Sequence, residues 1–218
     1  MMIVAARPAP AGRFSGFPRE ALEFFAGLER HNNREWFLAH KEVYEQACRE
    51  PMQPLVAALG PKFGKSKISR IYRDIRFSND KSPYKTNISA GIGNHYVFLS
   101  KDRLYVGGGM YMPDSAGLAR FRAAIAADAS GRQLARIVTA LRRKGYQVDT
   151  HETLKSAPKG YSADHPRIDL LRMKDIHAGK SFKPAAWLST PKALERITRV
   201  MTDVKPLADW LQATSAHR

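Results

Sequence analysis

The sequence predicts an α+β fold, a central and mainly antiparallel sheet flanked by helices. Three observations predict it. Stretches with helical apolar spacing occupy both ends of the chain, runs alternating between apolar and polar residues occupy the middle, and the short Lys101-Asp102-Arg103 turn joins two of those runs as a hairpin. At 218 residues and 44% hydrophobic content, the chain has material for one substantial core. The expected layout is a disordered tail over residues 1–13, one domain over 14–213 and a short tail over 214–218.

Taken in order, Pro18 suits a first helical turn, and Ala21, Leu22, Phe24, Phe25 and Leu28 form an apolar stripe behind it. Asn33 is placed to cap a second helix carrying Trp36, His40, Val43, Tyr44 and Ala47. Pro51 and Pro54 are expected to end or kink that helix, with Leu55, Val56 and Leu59 extending its apolar face toward Gly60. Cys48 reads as a small buried residue rather than a nucleophile.

The stretch from Ile68 to Asn87 then alternates as a strand does. Ile71, Arg73, Ile75 and Phe77 fall on one face, with Arg70, Tyr72, Asp74, Arg76 and Ser78 on the other. Asn79 to Pro83 is a turn signal, and Thr86 to Ile92 is a second β run. Tyr96–Leu99 and Leu104–Tyr111 complete a meander. Gly107, Gly108 and Gly109 lie inside the last run without the Lys-Ser/Thr ending of a phosphate loop, so they point to a bulge or a close approach.

Asp114 or Ser115 caps a helix to Ala127, and Ser130 another to Lys144, which Gly145 stops. Tyr146–Asp149 is a short strand, and residues 154–161 form an irregular basic loop. Leu170, Leu171, Met173 and Ile176 form a short helix or strand. A helix from Thr190-Pro191 and a last one from Pro206 close the chain.

The formal net charge is +16, which favours nucleic acid, anionic metabolites or an acidic partner. Residues 62–85 hold eight basic residues against two acidic ones, so the local carboxylates cannot neutralise the cations. Arg70, Arg73, Arg76, Lys81 and Lys85 are therefore candidates to bind a phosphate-bearing anion, nucleic acid included, since guanidinium forks match phosphate oxygens. Tyr72 and Tyr84 are placed to stack on bases, and Lys155 and Lys159 on the irregular loop are candidates for a second wall. Two alternatives stand beside this one. In one, an enzyme binds a small anionic substrate and Asp74, Asp80 or His165 transfers a proton; in the other, the charges form a structural ion-pair network.

The seven histidines are scattered singly and no HExxH-like pair occurs, so no metal site and no cofactor is expected from spacing. No Gly-x-Ser-x-Gly elbow occurs. A single cysteine excludes an intrachain disulfide and points to a reducing compartment, with cytoplasm as the expected location. No run approaches a membrane span, and the N-terminal apolar run, Ile3–Ala6, is short for a signal core. Spacing does not indicate an oligomeric state.

Three motifs remain: Asn32-Asn33-Arg34-Glu35-Trp36-Phe37, the long run Arg73-Asp74-Ile75-Arg76-Phe77-Ser78-Asn79-Asp80-Lys81-Ser82-Pro83-Tyr84-Lys85, and Pro158-Lys159-Gly160-Tyr161 with Asp164-His165-Pro166. Together with Gly107-Gly108-Gly109 and Met112-Pro113, this set resembles a bacterial and fungal family of uncharacterised proteins, domain of unknown function 2461. The resemblance spans about residues 14 to 213 and implies a single domain, and it carries no activity with it.

Overall fold

Alternating runs in the middle of the chain build one six-stranded antiparallel sheet, in the order β1-β2-β3-β4-β6-β5. Its strands are β1 (Ser66–Ile68), β2 (Asn87–Ile92), β3 (His95–Ser100), β4 (Leu104–Met110), β5 (Gln147–Asp149) and β6 (Ile176–Phe182). The computed structural model describes residues 12–76 and 79–215. Most of the expected N-terminal tail, the expected face positions of Phe77 and Ser78, and residues 216–218 lie outside the described residues. The architecture is α+β, and no helix among the described residues is long and apolar enough to cross a membrane. The contacts group the chain into two compact units. The first runs through Gly93 with Phe98–Arg103 and Lys183–Arg196; the second holds Asn94–Val97, Leu104–Phe182 and the chain from Ile197 onward.

In the first unit, α1 (Arg19–Arg30) follows Pro18, which stands at the N-cap, and buries Ala21, Phe24, Phe25 and Leu28. The cap of α2 (Arg34–Ala39) is Asn33, whose side chain accepts the Trp36 N–H at 2.9 Å, as its position predicts. Of the two outcomes expected at Pro51 and Pro54, an end or a kink, the helix does not end there. A short α3 (Lys41–Val43) runs into a π-helical turn, Tyr44–Arg49, and then into α4 (Glu50–Phe63), which contains Pro54 and Pro61. A proline removes one backbone donor and crowds the preceding turn, and the wider π turn admits Pro51 at the start of α4. Phe25, Leu28, Cys48, Met52 and Leu55 are fully buried here, each large apolar side chain contributing about 1.5–3 kcal/mol.

In the second unit, β4 and β6 pair along their whole length, from Leu104↔Phe182 to Met110↔Ile176. β6 is absent from the pattern read off the sequence. Its centre is Ala178-Gly179, and a Cβ at Gly179 would come within 2.4 Å of the Tyr105 hydroxyl oxygen. A Cβ at Gly107 would come within 2.7 Å of the same hydroxyl. The glycines thus seat a tyrosine and do not form an open phosphate-binding loop.

α5 (Ser115–Ala126) is capped by Asp114, which accepts the Gly117 N–H at 2.7 Å. α6 (Asp128–Arg143) begins two residues before the expected Ser130 cap, and α7 (Ile168–Arg172) is one short turn. α8 (Lys192–Ser215) is continuous through Pro206, where two helices were expected, and extends past the expected domain end at 213. Val200, Met201, Val204, Leu207, Trp210 and Leu211 are buried on both sides of the proline. Their burial outweighs the roughly 3 kcal/mol that an interior proline costs.

Candidate functional site

The basic arm is not the regular strand its alternation predicts. After β1 the chain runs irregularly, and Tyr72 and Tyr84 form one isolated antiparallel bridge, flanked by Arg73 N–H to the Pro83 carbonyl at 2.9 Å and Lys85 N–H to the Ile71 carbonyl at 2.8 Å. Residues 72–84 thus form a loop clasped at its base. The in–out alternation survives, with Ile71 buried, Tyr72 exposed, Arg73 half-buried and Asp74 exposed. Ladder pairing is lost because the loop spends its polar groups on itself.

Those internal bonds take up two of the predicted anion ligands. Arg76 makes a two-pronged contact with Asp74, Nε to Oδ1 at 2.9 Å and Nη2 to Oδ2 at 2.7 Å. Arg73 pairs with Asp80. Asp80 also accepts the Ser82 N–H at 2.9 Å and the Ser82 hydroxyl at 2.5 Å, which fixes the turn. The Ser82 donors and then Arg73 hold the Asp80 carboxyl down at about 2, and Arg76 likewise lowers Asp74. Both acids are ionised acceptors near neutral pH, poorly matched to proton transfer there.

Lys81 reaches back to the Ile75 carbonyl at 3.2 Å. Arg70, Lys81 and Lys85 make no ion pair among the described residues. Burial, and then the charge of Arg70, hold the Lys85 ammonium below its ordinary value. Tyr84 is buried and stacks on Phe37 with ring centroids 4.2 Å apart, so it packs the clasp, while Tyr72 beside it is 53% exposed.

The remaining candidates lie in the second unit. Lys155 and Lys159 are exposed on the irregular loop. His165 acts in a turn, its Nδ1 accepting the Arg167 N–H at 3.1 Å. That turn aims Arg167 at the end of α5, where Nε donates to the Ile125 carbonyl at 2.7 Å and Nη2 to the Ala126 carbonyl at 2.9 Å. Two surface hollows, of about 330 and 290 Å³, run along α6 beside Arg136 and Ala140, and none of the candidate residues lines them.

The structure also assembles a group that histidine spacing does not reveal. β5 and β6 pair with Asp149 opposite His177, which brings the chain just past β5 against Asp175. One ligand atom each from His151, Asp175 and His177 lie within 4.8 Å of one another. Asp175 is 1% exposed; its Oδ1 accepts the Thr150 hydroxyl and the His151 N–H, each at 2.9 Å, and its Oδ2 accepts the Met112 N–H at 3.3 Å. Burial pushes this carboxyl up, but those donors outweigh it and leave it below the ordinary range. His177 is lowered by burial and then by His151. The local signal was Asp175-Ile176-His177, whose alternation sets an acid and an imidazole on one strand face.

Fold and local geometry together define an α+β protein with a self-clasped basic loop in one unit and a histidine–aspartate group in the other. The chain belongs to the DUF2461 family of conserved hypothetical proteins, whose family model matches residues 20–210, in agreement with the resemblance of its motifs. No curated protein matches it.

Proposed function

We propose that the first unit binds a phosphate-bearing anion, on a nucleic acid or a phosphorylated metabolite, through Arg70, Lys81 and Lys85 on the clasped loop. One observation carries the reading: burial and then the charge of Arg70 hold the Lys85 ammonium below its ordinary value, and neither cation makes an ion pair among the described residues. A phosphate group placed there relieves that repulsion and accepts charge-assisted hydrogen bonds.

Arg73 and Arg76 take a different part. Their pairs with Asp80 and Asp74 fix the loop, so the remaining cations are presented with little ordering left to do on binding. Lys65 and Lys67 on the approach to the loop add to the field and make no ion pair among the described residues. The half-exposed Tyr72 ring offers a face for a base. The proposed site lies within the first unit, whereas Lys155 and Lys159 belong to the second.

The test is fluorescence anisotropy with a labelled single-stranded oligonucleotide, and competition by inorganic pyrophosphate. With three cations engaged, affinity for the oligonucleotide should fall roughly 20-fold between about 50 and 200 mM salt. Arg70→Glu combined with Lys85→Glu should abolish binding. Competition by pyrophosphate at low millimolar concentration would favour a small phosphorylated ligand, whereas binding that ignores salt or survives the double reversal overturns the reading.

A further inference from the structure

We infer that His151, Asp175 and His177 form a binding site for a divalent first-row transition-metal cation of borderline softness, zinc being the representative case, with one coordination position left open. The inference concerns the second unit and stands independently of anion binding by the first.

The donor set is two imidazoles and a carboxylate, which suits zinc and its neighbours better than magnesium or calcium, whose sites are built of oxygen. The spacing fits as well. Two ligand atoms each about 2.0–2.1 Å from one cation, at an angle between square and tetrahedral, stand about 2.8–3.4 Å apart. His151 Nδ1 and Asp175 Oδ2 are 3.0 Å apart, a separation that one cation can span in place of the hydrogen bond between them. The His177 ring centroid lies 4.9 Å from that of His151, and the three ligand atoms lie within 4.8 Å of one another.

His177 also has an unmet need. Its Nδ1 is buried and has no hydrogen-bond partner among the described residues, a costly state for a polar atom. The surroundings are organised around the group. The Thr150 and His151 donors hold Asp175 Oδ1, orienting the carboxylate as outer partners orient metal ligands. Met112, the one non-glycine residue with a left-handed backbone among those described, at φ 42°, turns its N–H onto Asp175. Such strain in a non-glycine residue persists only where the surroundings impose it.

The site faces solvent on one side. The His151 side chain is 48% exposed and meets the edge of the exposed Tyr111 ring at 4.4 Å. Three protein ligands with an open face are the arrangement of zinc sites that keep a water or substrate position, whereas structural sites close with four.

The experiment uses tag-free full-length protein stripped with a chelator, titrated calorimetrically with Zn²⁺ and, separately, with Co²⁺ as a visible-absorption probe. One equivalent should bind, with ligand-field bands appearing for Co²⁺. His151→Gln and His177→Gln should each weaken Zn²⁺ binding at least about 100-fold and remove those bands, while His31→Gln, at an exposed position outside the group, changes neither. His151→Gln replaces a half-exposed side chain and decides the matter if the other variant does not fold. Absence of stoichiometric binding, or binding unchanged in His151→Gln, overturns the inference, the latter by locating the cation at another histidine.

Discussion

The Asn32 side-chain amide closes on the backbone of Tyr84: its Nδ2 donates to the Tyr84 carbonyl at 2.9 Å, and its Oδ1 accepts the Tyr84 N–H at 3.1 Å. The reason lies in strand geometry. Tyr72 and Tyr84 oppose each other as a non-hydrogen-bonded pair, so Tyr84's own N–H and carbonyl point away from Tyr72 and need partners elsewhere. One carboxamide supplies both, joining the Asn32–Phe37 motif to the Pro83-Tyr84-Lys85 motif across a separation of 52 residues.

Asn32→Ala leaves two backbone groups beside a buried ring without partners. It should cost about 1–3 kcal/mol, read as a lowered denaturation midpoint with an unchanged slope. Asn32→Asp keeps the acceptor and loses the donor, so it should fall between wild type and alanine. A midpoint for Asn32→Ala equal to wild type would show that water satisfies Tyr84 and that the clasp is dispensable.

Gly131→Ala should destabilise, although alanine in a helix is ordinarily better than glycine by about 1 kcal/mol. A Cβ there lands 1.9 Å from the Ile125 carbonyl oxygen and 2.4 Å from Arg167 Nε, the pair that closes the end of α5. Backbone cannot yield as a flexible side-chain tip does, so overpacking of about 1–3 kcal/mol exceeds the propensity gain. Thermal unfolding of the variant reads the sign directly.

The same residues show what sequence pattern could and could not convey. Helix caps at Asn33 and Asp114, the 101–103 hairpin and the stop at Gly145 were legible because each depends on a few neighbouring residues. β6 was not, because its centre gave up β-branched side chains to make room for Tyr105. The continuity of α4 and α8 was hidden too: proline predicts a break from local geometry, and long-range burial decides otherwise. The charge surplus of residues 62–85 was plain, but which arginines are occupied depended on the loop folding on itself. His151 and His177 sit 26 positions apart in sequence and are joined only by the β5–β6 register, which no spacing rule reaches.

Asp80 gives the first unit a pH-dependent contribution at low pH. Its folded value of about 2 lies below an unfolded value of about 3.9, so the unfolded chain binds the extra proton. The contribution is therefore complete above the unfolded value and is lost as pH falls from about 4 through about 2. The difference in melting temperature between wild type and Asp80→Asn should be largest near neutral pH and shrink steadily across that window. A difference independent of pH would mean that the Asp80 charge plays no part in holding the turn.

Cys48 should resist thiol reagents in the folded protein. It is fully buried, its Sγ lies 4.0 Å from the Ala21 carbonyl oxygen, and burial pushes the thiol well above its ordinary value. Reactive cysteines are exposed thiolates in electropositive settings. A disulfide reagent should therefore modify the native protein at least about 1,000-fold more slowly than the unfolded chain, in line with the small unfolded fraction. Rapid stoichiometric labelling without unfolding would mean that the helices around it open locally.

Lys85 distinguishes the proposed anion site from a structural ion-pair network. A structural ion pair loses stability when either partner is neutralised. Lys85 instead has its charge disfavoured by burial and by Arg70, with no carboxylate partner among the described residues. Lys85→Gln should therefore leave the melting temperature unchanged or raise it, whereas Arg73→Gln, which breaks the Asp80 pair, should lower it. Added pyrophosphate separates the two further: a ligand at about 100 times its Kd stabilises the native state by about 2.7 kcal/mol, so the wild type should gain several degrees and Lys85→Gln little. A Lys85→Gln variant that melts lower and still responds fully to pyrophosphate would place Lys85 among the structural charges and move the anion site elsewhere.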